Sequence, residues 1–225
     1  MAGPVASTLM VADISTELTS GVRRLSGGER RAQLLDQAAN LFGRRGYRST
    51  TMDDVAEAAG VTKPLLYQHF SSKRALYLEL VDALAYQMLV DLAEATAQAT
   101  GPRQQVELAL RAYFRLMVRD PAAFRLLNDK DHGDDDELGG AIRRVERALV
   151  AAIDPLIDAG LVAEHRIVLA GGMLGMAEGA SVAWMTLSEG RPDSASDEDL
   201  CAEADRIARR VGSLMWAGLR SVHSD

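Results

Sequence analysis

The sequence predicts an all-α fold, and three observations carry that prediction. Apolar residues recur at three- and four-residue intervals through nearly the whole chain. No run alternates polar residues with β-branched ones, as a half-buried strand would. Gly, Pro, Ser and Thr fall where such helices would start and stop. The chain has 225 residues, 48% of them hydrophobic and 25% charged, enough for a sizeable core.

Residues 1–28 show no sustained period and read as a mobile arm, with Arg23 and Arg24 its only cationic pair. From Glu29 the stripe Leu34, Leu35, Ala38, Leu41 and Phe42 defines a first helix that Gly46 stops. Thr51, with Asp54 three positions on, caps a second helix of barely two turns, and Gly60 ends it. Thr62 caps a third, with Pro64 in the first turn, where its missing N–H costs nothing. Leu66 and Phe70 face inward from that helix and Lys63, Leu65, Gln68 and His69 outward. Ser71 or Ser72 opens a long fourth helix through Leu76, Leu80, Leu84, Met88 and Leu92 to the stop at Gly101-Pro102.

Further helices follow over 103–119, from Asp120-Pro121 to about Asn128, and from about Ile142 to Gly160, with Pro155 kinking the last turn. A glycine-bearing helix spans about 164–188, and Ser196 caps a final one rich in first-turn carboxylates. The total is about nine helices. Ile167–Leu187 is long enough to cross a bilayer, but four glycines and the central Glu178 favour a buried helix in a soluble protein.

The net charge of −7 hides a division. Residues 1–80 carry 10 basic and 8 acidic side chains, the remainder 15 and 24, so a polyanion is met by the first third. Two short helices joined through Gly60, the second beginning Thr62-Lys63-Pro64, match a helix-turn-helix. The free N–H groups of a helix N-terminus attract phosphate, and a helix fits the major groove. Ala56, Ala58 and Ala59 allow the pair to cross closely.

Residues 30–80 closely resemble the DNA-binding domain of the TetR family of bacterial transcriptional regulators. The resemblance rests on Phe42, Gly46-Tyr47, Thr51, Val55-Ala56, Ala59-Gly60-Val61, Thr62, Tyr67-Gln68-His69-Phe70, Lys73 and Leu76. A fainter similarity, to actinobacterial members that regulate fatty-acid synthesis, lies in Lys63–Phe70, Phe124-Arg125-Leu126-Leu127 and Trp216-Ala217-Gly218-Leu219. The family resemblance implies that Thr51, Tyr67 and Lys73 hold phosphates. By the same resemblance Thr62, Lys63, Pro64, Leu65 and Gln68 approach base edges, and His69 lies beside the backbone. Their chemistry agrees: Lys63 can donate to guanine, Gln68 can pair with adenine, and Pro64 or Leu65 can pack on a thymine methyl.

The resemblance further implies a DNA-binding domain over 29–74 and an effector-binding and dimerisation domain over 75–225. A twofold dimer on a near-palindromic double-stranded operator is expected, by the family default a repressor, and the lone Cys201 with an N-terminus that lacks a secretory pattern points to the cytoplasm. Tyr86, Phe114, Met117, Phe124, Leu127, Leu149, Met173, Met176 and Trp184 are the expected lining of a pocket for a small hydrophobic effector, a fatty acyl compound being one example. Arg111, Arg115 or Arg125 would meet any anionic head group. The expected homodimer seam comprises Gly175, Gly179, Ile207, Val211, Leu214, Met215 and Gly218, with close packing inside the subunit as the alternative use of the glycines.

An enzyme is not expected, because four histidines and the single Cys201 form no metal or nucleophile spacing and no cofactor motif is present. The acidic stretch from Asp129 to Glu137 fails as a calcium loop: counting Asp129 as the first position, Gly133 is the fifth and Gly140 the twelfth. A ligand-binding or adaptor protein without DNA activity is the rival reading, and it would leave the Lys63–Lys73 face idle.

Overall fold

The computed structural model describes residues 26–127, 136–157, 160–188 and 196–219. Helices make up almost all of them, and no strand occurs among these residues. In order they are α1 (Gly27–Ser49), α2 (Met52–Ala58), α3 (Lys63–His69), α4 (Lys73–Thr96), α5 (Pro102–Arg119), α6 (Pro121–Leu127), α7 (Asp136–Ile153), α8 (Ala163–Ser188) and α9 (Asp197–Leu219). The arm before Ser26 and most of the acidic stretch lie outside the described residues.

The start of α1 comes two residues earlier than expected because Ser26 and Glu29 close a capping box, each satisfying the other's backbone N–H. Gly46, at φ 78°, breaks the helical path as the sequence suggests. A ring cluster fills the space beneath: Tyr77 of α4 stands edge-on to Phe42 at 5.3 Å and to Tyr47 at 4.8 Å. Leu34, Val55, Leu66 and Leu76 join it from four helices, all fully buried. These residues are one end of a continuous core that runs on into the later helices.

The remaining helices pack around Val106, Leu110, Tyr113, Phe114 and Met117 of α5, the buried stripe read from the sequence. On one side of α5 lies α9 and on another α4, while α6 packs against α1. That last packing is close: a Cβ on Gly43 would sit 2.4 Å from the carbonyl oxygen of Ala122. Only a glycine lets the two backbones meet there.

Two boundaries shift for physical reasons, and one expected burial is not found. Thr96 bonds back to the carbonyl of Leu92 at 2.8 Å and α4 ends there, before Gly101-Pro102. Pro155 does more than kink α7, since a 3₁₀ turn over Asp154–Leu156 replaces its last turn. And α8 is not a buried helix. One face packs through Ala170, Met173, Leu174 and Ala177, whereas Val168 is 72% and Leu187 75% exposed on the other. By length and composition it could cross a membrane, with 33% of its apolar window buried.

Candidate nucleic-acid interface

The second and third helices meet through a turn whose parts each have a reason. Thr51 and Asp54 close a capping box at the start of α2, with Asp54 N–H donating to the Thr51 hydroxyl at 3.1 Å. Gly60 takes φ 63°, a left-handed conformation that suits glycine. The chain then reverses so that the Val61 N–H reaches the Ala56 carbonyl at 2.9 Å. Ala56 and Ala59 are buried at the crossing, but Ala58 is exposed and takes no part in it.

Two anchors fix the inner face of α3: Leu66 and Phe70, 0% and 2% exposed. Burying each stabilises the helix by roughly 1.5–3 kcal/mol, ample for seven residues that would not hold a helix alone. The opposite face is left to solvent, with Thr62, Lys63, Pro64, Tyr67 and Gln68 exposed and Leu65 and His69 half-buried. Tyr67, 43% exposed, is therefore not core filling. Thr62 stands at the N-cap but its side chain makes no capping bond, contrary to the sequence expectation.

Two of the expected phosphate ligands, Thr51 and Lys73, already have hydrogen-bond partners within the domain. The Thr51 hydroxyl donates to Asp54 at 2.6 Å, and this bond, with one from the Thr51 N–H, holds the Asp54 carboxyl below its usual range. Lys73 donates to the carbonyls of Tyr47 at 2.9 Å and Thr50 at 3.0 Å, and its ammonium lies 4.2 Å from the centre of the Tyr47 ring. It thereby ties the carboxyl end of α1 to the start of α4, and burial lowers its affinity for a proton. Lys63 pairs with Asp53, whose hydrogen bond and charge raise the lysine's pKa.

The expected effector residues divide. A cavity of about 290 Å³ lies among α4, α5, α7, α8 and α9, and only Leu149 and Met173 of the expected set line it. Tyr86 and Met176 point outward, at 71% and 39% exposure. Phe114, Met117, Phe124 and Leu127 are core residues around α5 and α6, and Trp184 is half-buried away from the cavity. Residues the sequence reading missed, among them Leu110, Tyr113, Leu174 and Ala177, form much of the wall. Among the described residues no charged side chain lines it, and Thr96, Gln105 and Tyr113 supply its polar groups.

The arginines proposed for an anionic head group are elsewhere. Arg111 and Arg115 both bind Asp205 of α9, and Arg125 is exposed on α6. Of the expected seam, Gly175, Gly179, Leu214 and Gly218 are exposed and Ile207 and Val211 half-buried. Met215 is buried within the subunit and lines the cavity, so it is not a seam residue. A Cβ built on Gly175 or Gly179 would meet nothing within 4 Å among the described residues, so no close packing inside the subunit accounts for those glycines there.

Comparison with known proteins agrees with this geometry. The family model described as "Bacterial regulatory proteins, tetR family" matches residues 34–80. The chain is 32% identical over 201 residues to the HTH-type transcriptional activator FasR of Mycolicibacterium smegmatis, covering 88% of this chain and 87% of that protein. It is also 32% identical over 101 residues to the HTH-type transcriptional repressor KstR2 of Rhodococcus jostii, covering 45% of this chain and 50% of the other. The fold resembles that of FadR from Bacillus subtilis, solved in complex with stearoyl-CoA, with a TM-score of 0.66 at 16% identity, over 81% of this chain and 97% of the other. The architecture, the exposed second helix of the pair and the near full-length relative lead to one assignment: the chain belongs to the TetR family of bacterial transcriptional regulators and is not an enzyme.

Proposed function

We propose that the protein is an effector-responsive repressor that binds a near-palindromic operator as a homodimer. The observation that carries this reading is the division of α3, with Leu66 and Phe70 buried and Thr62, Lys63, Pro64 and Gln68 presented outward. In this reading Thr62, Lys63, Pro64, Leu65 and Gln68 meet base edges, while Tyr67 holds a phosphate and His69 lies beside the backbone. Residues 29–74 form the reading unit, in which Thr51 and Lys73 brace the helices, and residues 75–225 sense and pair.

The outward face of α8, with Val168, Gly175, Gly179 and Val182, supplies the dimer seam together with Leu214 and Gly218 of α9. An apolar strip of that extent is covered in a soluble protein, and a twofold pairing covers it with a second copy of itself. The dimer would set its two α3 helices about 34–36 Å apart, one turn of DNA.

For the effector, the cavity wall without charge selects an apolar, uncharged group. Any ionised part of the ligand must remain outside it, because an unpaired charge in such surroundings costs several kcal/mol, on the order of the whole binding energy. The stearoyl-CoA bound by FadR has that division between chain and head group. Repression needs no surface beyond the DNA face and the seam; FasR carries the name activator and KstR2 the name repressor.

Selection of random duplexes by the full-length protein tests the DNA reading. Enrichment of a near-palindrome bound by a dimer in sedimentation supports it, and absence of any enriched sequence contradicts it. Run-off transcription from a promoter carrying the enriched site then gives the sign: less transcript for a repressor, more for an activator. Release of that duplex by an uncharged long-chain alcohol such as dodecanol tests the effector class.

A further inference from the structure

We propose that Arg31 is a positioning residue for DNA reading: it sets the angle of α3 against the body of the domain without touching DNA. Leu66 and Phe70 hold α3 along one line, and a two-turn helix held along a line can still tilt and roll. Whatever fixes its far end therefore fixes where Lys63, Leu65 and Gln68 point.

That far end is held from α1. The Arg31 Nη1 donates to the carbonyl of His69, the last residue of α3, at 2.7 Å. Its Nε donates to Glu79 Oε1 of α4 at 2.7 Å, and Nη2 bonds the other oxygen of the same carboxylate. The guanidinium carbon also lies 4.4 Å from the centre of the Phe70 ring. One side chain thus joins three helices that lie 38 and 48 residues apart along the chain. Two positions further along α1, Gln33 reaches the Ala59 carbonyl at the end of α2, at 3.4 Å. A single turn of the first helix so gathers the carboxyl ends of both helices in the motif.

Arginine alone among the side chains can do this. Its planar fork grips a carboxylate with two parallel bonds, donates in a third direction and stacks on a ring. A lysine in its place keeps the charge and loses the geometry. Arg31 and Glu79 are each more than a third exposed, so the pair adds little to folding stability, and its effect is on orientation.

The inference rests on the reading that α3 enters DNA, and the experiment separates the two. Full-length wild type, Arg31→Lys, Arg31→Gln and Glu79→Gln are titrated, over a range of salt, with the duplex enriched by the wild type and with a scrambled duplex of equal length. Each variant is expected to lower the ratio of specific to scrambled affinity roughly tenfold, about 1.4 kcal/mol. Affinity for the scrambled duplex and its salt slope should stay as in the wild type, and the variant combining Arg31→Lys with Glu79→Gln should be no worse than either alone. An unchanged ratio with a lower melting temperature would make Arg31 merely structural and overturn the proposal. A salt slope reduced by about 0.9 in Arg31→Gln would overturn it differently, by showing a direct phosphate contact. If the wild type enriches no duplex, the DNA reading itself fails.

Discussion

Lys63, the cation on the outward face of α3, is held by Asp53 of α2, its Nζ lying 2.8 Å from one carboxylate oxygen and 3.0 Å from the other. Both side chains are more than half exposed, so the pair is readily exchanged for a partner with more charge. Asp53 also places a negative charge beside the surface that DNA would approach. Asp53→Asn is therefore expected to raise affinity severalfold for specific and scrambled duplexes alike, with a larger gain at low salt, as anisotropy titrations would show.

Asp205 is the most deeply placed carboxylate among the described residues, 9% exposed on α9. Burial by itself would raise its pKa, but hydrogen bonds from Arg115 and Arg111 outweigh that and lower it below the ordinary 3.8. A depressed folded pKa gives stability that is fully present above the ordinary value and is lost as pH falls through the folded one. Asp205→Ala is expected to cost about 2 kcal/mol near neutral pH, less than for a fully buried pair because both arginines are partly in water. As pH falls from the ordinary 3.8 through the lowered folded value, the gap between variant and wild type should shrink in denaturant titrations, since the carboxyl then becomes protonated in both states of the wild type.

Gly43 poses two opposed effects. Alanine is the better helix former by about 1 kcal/mol. Its Cβ, however, would sit 2.4 Å from the Ala122 carbonyl oxygen, and backbone cannot yield as a side-chain tip does. Overpacking of that kind costs about 1–3 kcal/mol, so the steric term prevails and Gly43→Ala lowers the melting temperature. Gly28→Ala, in the same helix with nothing within 4 Å, should raise it, because only the propensity gain remains.

Ala177 is 5% exposed and lines the cavity from α8. Ala177→Phe would fill part of that space. It is expected to weaken dodecanol binding roughly tenfold in calorimetry while leaving affinity for the enriched duplex unchanged in the absence of the alcohol.

Helix identity was legible because it is written locally. Caps such as Thr51 with Asp54, the left-handed Gly60 and the buried stripe of α5 depend on residues within a turn or two of each other. The outward face of α3 followed from the same period. What the sequence could not show was which apolar residues bound empty space and which fill it: Phe114 and Leu110 share one stripe, yet only Leu110 lines the cavity. Partners distant in sequence were equally hidden. Arg115 meets Asp205 across 90 residues and Lys73 meets Tyr47 across 26, so both cations looked available for an anion when each already had a partner. The glycines of α8 were recognisable as a bare face, but their freedom from intrasubunit contact emerged only in three dimensions.

Gln68 is exposed at the centre of the surface assigned to base reading, and its replacement bears on that assignment with the fewest side effects. The decisive measurement is the affinity of wild type and Gln68→Ala for the enriched duplex and for its scrambled counterpart at one salt concentration. The account predicts a loss of about 1–3 kcal/mol on the enriched duplex and none on the scrambled one. Equal affinities of the two proteins for the enriched duplex would contradict it.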